Sequence, residues 1–432
     1  VLELAGRLAR ERCLRLFVVG GTVRDALRGS APAVRDLDLV VEGDGLGLAR
    51  WLAEAAGVER RALVEHTRFL TASVLLPAGG RVDIATARAE RYERPGALPR
   101  VIPATIMQDL ARRDFSVNAM AVEVTAPDFT LLDPHGGRED LRCRRLRALH
   151  PLSFVEDPTR IFRAARYRAR LGFAVEAWTR RGVALAVRRA PYPALSGQRL
   201  MGELERMASD AHPDRALAWL GRVGGFRLVD PRYRFGRATA ARMRTLPRAL
   251  AWARACRLGV APVELVLLAL TAAQPADVRA SVLSRLGLSG EPRARLERAL
   301  RGADALRRAL VRARRPSERA RPLWDATPVE LTWLWWTGGS AVRAGVEWFV
   351  ATARGLRPEL DGDAVAALGV PRGPALAEAL RALRDARLDG QVRDRDEEAD
   401  FVRRWLAREP ELGPVAAARA ARTGAERGGG GS

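Results

Sequence analysis

Two different periodicities divide the chain near residue 150. Before that point the apolar residues come in short runs: Leu16–Val19, Leu37–Val41, Leu70–Leu76, Arg81–Ala85, Ala119–Val124 and Thr130–Leu132. Glycine or charged turns separate them, which is the pattern of short strands. One stretch, Leu46–Ala56, places its apolar residues at helical spacing instead. The pattern predicts an α+β domain on a small mixed sheet. Residues 92–104 hold three prolines and a glycine and read as a mobile loop. From about residue 154 the spacing is helical almost to the end, with breaks near 191–197, 224–236, 315–328 and 356–374. Trp333, Trp335 and Trp336 fall where a helix core would take them, rather than in a repeated base-stacking pattern.

Composition narrows the partners. At 432 residues the chain exceeds a single compact core and predicts several domains. The 73 basic residues, every one arginine, outweigh 51 acidic ones, a net charge of +22. Such an excess suits a polyanion such as nucleic acid, although a solubilising surface is the plainer reading. Cys13, Cys143 and Cys256 form no CxxC pair, so neither a disulfide framework nor a zinc site is suggested, and a reducing cytoplasm fits. The first residues lack a secretory signal pattern. Apolar runs such as Leu265–Ala273 fall far short of a bilayer span, which needs roughly 20 residues. Residues 428–432 (GGGGS) are expected to be a flexible tail.

Four constellations carry chemistry. In Val19-Gly20-Gly21-Thr22-Val23-Arg24-Asp25 a β-run feeds two glycines and a helical turn. Gly20 and Gly21 would let the backbone approach a phosphate, and Arg24 could reach a triphosphate oxygen. Strand–glycine–helix turns are common, so this signal is weak alone. In Asp36-Leu37-Asp38 the two carboxylates would project from one face of a strand, roughly 6–7 Å apart. Like charges so placed repel unless cations bridge them, which suits two divalent ions; a solvated strand end is the alternative. Asp83, on a second predicted strand, is a candidate third carboxylate.

The third stretch runs from Arg112 to Met120. Arg112 and Arg113 suit phosphate binding, and Asn118 offers an amide. Phe115 and Val117 would face the core; a charged helix start, with Asp114 near its N-terminus, is the ordinary alternative. In the fourth, Pro158 opens a helix with Asp157 capping it. Asp157, Arg160, Arg163 and Arg166 then recur every three residues as a drifting stripe. Asp157 beside Arg160 makes an acceptor–donor pair. Cytosine and adenine both present an amine next to a bare ring nitrogen, whereas guanine and uracil present the reverse. Such a pair would select C and A without a template; an i,i+3 surface ion pair is the ordinary alternative.

Taken in order, these stretches resemble the class II tRNA nucleotidyltransferases (CCA-adding enzymes) and the related bacterial poly(A) polymerases. The similarity rests on GGTVRD, DLD, RRDFSVNAM, DPHGGREDL at Asp133–Leu141 and EDPTRIFRAARYRARLGF, with a fainter match at Ser196–Leu200 with Glu203-Leu204. It covers residues 17–205, about half the chain. Ser116-Val117 and Gln198 depart from the usual pattern without touching the proposed chemistry.

The resemblance implies a polymerase-β-like nucleotidyltransferase head at 1–145, then an all-α neck at 146–205, body at 206–315 and tail at 316–427. It implies that Asp36 and Asp38 hold two Mg²⁺. It places Gly21, Arg24, Arg112 or Arg113, Arg163 and Arg166 against the incoming CTP or ATP, and Asp157 and Arg160 against its base. The partner would be the tRNA acceptor end. Residues 92–104 look like the family's flexible loop, implicated in the switch from C to A addition, which argues against an enzyme adding only CC. An A-adding enzyme or poly(A) polymerase is the near alternative. A glycosyltransferase using the DxD pair and a non-catalytic RNA-binding protein are the distant ones.

Overall fold

The computed structural model describes residues 1–29, 36–77 and 79–408, and the tail expected at 428–432 lies outside them. The chain divides into two compact units, Val1–Pro247 with Ala269–Ser289, and Arg248–Leu268 with Gly290–Ser432.

The first unit opens with helix α1 (Leu2–Arg10), strand β1 (Arg15–Val19), α2 (Gly21–Leu27), β2 (Asp36–Glu42) and α3 (Gly45–Ala55). Strands β3 (Leu63–His66), β4 (Thr71–Leu75), β5 (Arg81–Thr86), β6 (Arg88–Arg91) and β7 (Arg100–Pro103) follow. Then come α4 (Ile106–Ala111), β8 (Ala121–Glu123) and β9 (Leu131–Leu132). Seven strands form one sheet in the order β3-β4-β5-β2-β1-β8-β9. Only β2 and β5 run parallel; the other neighbours are antiparallel. This is the α+β head on a mixed sheet that the apolar runs predict.

Strand alternation decides which side chains reach the site. Leu37, Leu39 and Val41 of β2, Val82 and Ile84 of β5, and Ala72 and Val74 of β4 pack in one core with residues of α1 and α3. Their intervening neighbours must therefore point to the opposite face. There Phe17, Val19, Val40, Ile106 and Leu110 form a second, smaller core. Asp36 and Asp38 share that second face, as do Asp83 and Ser73.

Residues 92–104 differ from the sequence expectation of a loop throughout. Arg100–Pro103 forms β7, which pairs antiparallel with β6 from Arg88↔Pro103 to Arg91↔Arg100. The prolines do not prevent this, because a two-stranded ribbon has free edges where a missing N–H costs nothing. Gly96 at the turn, with φ +81, donates its N–H to the Glu156 carbonyl at 2.9 Å.

Helices follow the sheet: α5 (Gly137–Arg142), α6 (Ser153–Glu156), α7 (Thr159–Leu171), α8 (Ala177–Arg188) and α9 (Gly197–Ala208). Gly172 ends α7 in the left-handed conformation, φ 71, which costs glycine least. The second unit is helical. Its helix Pro328–Thr337 is capped by Thr327 and Glu330 reciprocally. Trp333, Trp335 and Trp336 are buried there, and Trp335 stacks on Trp252 at 4.6 Å, so these rings serve as core. Among the described residues no helix is long and apolar enough to cross a membrane.

Candidate active site

Three strands bring the acidic residues together. In the sheet register Ser73 stands opposite Asp83, and Asp83 opposite Asp38; one step along, Asp36 stands opposite Arg81. Ser73 Oγ donates to Asp83 Oδ1 at 2.5 Å, and Arg81 Nε lies 3.1 Å from Asp83 Oδ2 and 3.9 Å from Asp36 Oδ1. Burial, then the negative charge of Asp83, push the Asp38 carboxyl above its ordinary value, against the pull of Arg113 and Arg81.

The donor set is compatible with magnesium. Hard carboxylate oxygens crowd one strand face, and a cation there would offset both the burial and the repulsion from Asp83 that raise Asp38. Among the described residues no cluster of three or more His, Cys, Asp or Glu is close enough to hold an ion alone.

Asp38 also lines a cavity of about 470 Å³. Gly20, Gly21, Arg112, Arg113, Asp114 and Asn118 line it from the head, and Asp157, Arg160 and Arg163 from α7 and the residue pair before it. A smaller hollow of about 420 Å³ shares Asp38, Arg112 and Arg113 and adds Asp83 and Ser73. The third and fourth sequence stretches thus meet in one place, beside the DLD strand.

Gly20 has φ 70, and a Cβ there would lie 3.1 Å from Arg113 Nη1. The positive φ favours glycine where β1 turns into α2, and a Cβ there would press on the tip of Arg113. Arg112 and Arg113 follow α4 directly and converge on Asp109, which is fully buried. Burial opposes the charge of Asp109, but Arg113 and Arg112 outweigh it and hold the carboxyl below its ordinary value.

Asp114 is also buried and shares its oxygens. Oδ1 accepts from the Asn118 amide at 3.1 Å, and Oδ2 accepts from Arg163 Nε at 2.8 Å. Burial works against its charge, and the guanidiniums of Arg163 and Arg160 overcome that, leaving it below the usual range.

Asp157 and Arg160 both line the cavity but do not pair with each other. Asp157 Oδ1 accepts from Arg199 Nη2 at 2.8 Å and from the Thr159 hydroxyl at 2.6 Å. Arg160 donates to Ser153 Oγ at 2.6 Å and to the Arg112 carbonyl at 2.7 Å. The i,i+3 ion pair, the ordinary alternative for this spacing, does not form, because Asp157 lies just before α7, off the helical stripe, and bonds to Arg199 of α9 instead.

Two proposed nucleotide contacts fall outside the cavity lining. Arg24 is buried against Asp25, at 2.8 Å, and donates to Asn118 Oδ1 at 2.6 Å. It braces Asn118 rather than facing the cavity. Arg166 lies 3.4 Å from Glu203 and 3.6 Å from Asp210. A three-residue step falls short of a full turn, so the stripe drifts and Arg166 leaves the cavity side. Asp36, mostly exposed, shares the acidic face without lining the cavity. Sequence reasoning missed Glu90, Tyr92, Arg199, Glu203 and Arg206 as lining residues. Arg199 and Glu203 carried a signal in the faint match after Ser196, and Tyr92 in the segment 92–104; Glu90 and Arg206 carried none.

A family model described as the poly(A) polymerase head domain matches residues 16–147. The "A-adding tRNA nucleotidyltransferase" of Geobacter sulfurreducens is 34% identical over 408 residues, 92% of this chain; the chain spans 46% of that relative's length. The "CC-adding tRNA nucleotidyltransferase" of Deinococcus radiodurans is 35% identical over 406 residues, covering 91% of this chain and 90% of that one. A solved CCA-adding enzyme in its apo form superposes with a TM-score of 0.81 at 29% identity, covering 93% of this chain and 94% of that one.

Proposed function

Because the chain belongs to the tRNA nucleotidyltransferase family, with the fold of CCA-adding enzymes, we propose that it transfers CMP and AMP from CTP and ATP to the tRNA 3′ end without a template. One observation carries this reading: Asp38, the Arg112–Arg113–Asp114 run and the Asp157/Arg160 pair line a single cavity. A nucleoside triphosphate has the same three parts, a reacting phosphate, a charged chain and a base.

Asp36 and Asp38 would hold two magnesium ions, which when bound neutralise charge on the attacking and leaving oxygens. Arg112 and Arg113 would grip the triphosphate and stabilise pyrophosphate as it leaves. Gly20 and Gly21 leave room for the phosphates, and Asp114 with Asn118 would face the sugar side. Among the described residues Asp157 Oδ2 carries no hydrogen bond, so it is free to accept a base amine. Arg160 keeps its remaining N–H groups for the neighbouring ring nitrogen. Bases presenting the reverse pattern would leave both groups unpaired, which supports the refusal of G and U.

A second reading, addition of A alone, is favoured by the name of the Geobacter relative, which matches 92% of this chain. Truncated tRNA substrates separate the two. On tRNA ending at the base before CCA, the main reading expects extension with CTP; the A-only reading expects extension solely of tRNA ending in CC, with ATP.

A further inference from the structure

We propose that Asp109 is a positioning residue: one buried carboxylate aims both Arg112 and Arg113 at the triphosphate and keeps Arg113 off Asp38. The proposal rests on the functional reading above and adds a residue that does not itself reach the cavity.

The geometry is specific. Asp109 sits on α4 with no exposed surface. Its Oδ1 accepts from Arg112 Nε at 3.0 Å and Nη2 at 2.7 Å. Its Oδ2 accepts from Arg113 Nε at 3.2 Å and Nη2 at 2.9 Å. Each guanidinium is thus gripped along the same edge, Nε and Nη2, by a different oxygen of one group. Adjacent residues leaving a helix ordinarily diverge by about 100°. The shared carboxylate overrides that divergence and brings two like charges side by side, an arrangement that phosphate oxygens reward.

The outer edges are held differently. Arg112 Nη1 donates to Glu90 Oε1 at 2.5 Å, whereas Arg113 Nη1 reaches only the Asn118 carbonyl, at 3.4 Å. Among the described residues Asp109 is the one carboxylate in an ion pair with Arg113. Asp38 lines the same cavity as Arg113 and feels its positive charge. Without Asp109, Arg113 would turn to Asp38 and cover the carboxylate that the reaction needs open.

A plain structural ion pair would also explain the burial, and binding measurements on the full chain separate the two roles. The probes are inorganic tripolyphosphate, which needs only the arginines, and cytidine, which needs only the base pocket. Asp109→Asn is expected to weaken tripolyphosphate by about tenfold or more and to leave cytidine within about twofold. In the Arg112→Gln/Arg113→Gln background the same substitution should add no further loss, since its effect runs through those arginines. Asp109→Glu keeps the charge one methylene away and should give a loss of the same sign, confined to tripolyphosphate. Equal weakening of both probes, or the same loss added in the double-glutamine background, would mean a structural role and overturn the proposal. Undiminished tripolyphosphate binding by Asp109→Asn overturns it as well. Failure of the unmodified chain to bind tripolyphosphate would instead remove the functional reading on which this one stands.

Discussion

Arg199 holds Asp157 by a 2.8 Å bond between residues 42 positions apart. The same guanidinium donates to the Gly96 carbonyl at 2.9 Å, at the turn of the β6–β7 hairpin. Asp157 is therefore fixed by α9 and not by its helix neighbour Arg160. Fixing Oδ1 leaves Oδ2 for the base amine that the proposed function assigns to it.

Asp157→Asn replaces that acceptor with an amide able to donate. The CTP over UTP preference in kcat/KM should fall by about tenfold or more, since a misplaced donor or acceptor in a buried site costs about 1–3 kcal/mol. Competing incorporation of labelled CTP and UTP measures this. An unchanged ratio would place base reading elsewhere.

Asp38→Ala and Asp36→Ala should each abolish incorporation while leaving tRNA affinity within about twofold, because the carboxylates act on the reacting phosphate and not on the RNA surface. Filter binding and a single-turnover assay on the same preparations read the two effects separately. Asp36 is the more informative substitution, because it shares the acidic face but does not line the cavity. Retained turnover there would leave Asp38 as the sole ligand from β2.

Gly20→Ala should destabilise the chain by about 1–3 kcal/mol, the cost of a side chain at a positive φ that glycine adopts readily, and should also raise KM for the nucleotide. The second effect follows from the 3.1 Å approach of the new Cβ to Arg113 Nη1. Urea unfolding and steady-state kinetics test both. Loss of stability with unchanged KM would show that Gly20 serves the turn alone.

The pairing of buried Asp114 with half-buried Arg163 gives a pH dependence with a definite sign. Asp114 lies below its ordinary value in the folded chain. It contributes stability that is present above the unfolded carboxylate value, near 3.9, and is lost as pH falls through the lower folded value. Asp114→Asn leaves the Arg163 guanidinium, which is about a third exposed, without this partner and should cost about 1–2 kcal/mol at pH 7. It should also flatten the fall in unfolding free energy between pH 5 and the acid transition. A mutant with an acid limb as steep as that of the unmodified chain would contradict the assignment.

Strand alternation made the head legible: Leu37, Leu39 and Val41 had to be buried, so Asp36 and Asp38 had to share the other face. The EDPTR stretch leading into α7 likewise put Asp157 and Arg160 at the cavity. What stayed hidden depended on contacts distant in sequence. Nothing near Asp157 announces Arg199, and nothing near Asn118 says that Arg24 will be spent on it. Asp109 reads as an ordinary polar position on a short helix until two arginines fold back on it. The β6–β7 hairpin was obscured by its own prolines, which suit a free edge as well as a loop.

The most direct test offers tRNA transcripts ending before CCA, at C, or at CC to the protein with magnesium and each nucleotide alone or together. Added length is then read on a gel. The account predicts growth to CCA and a stop when CTP and ATP are both present, with no growth from UTP or GTP. Addition of U or G at a rate comparable with C and A, or no growth of any transcript, would contradict it.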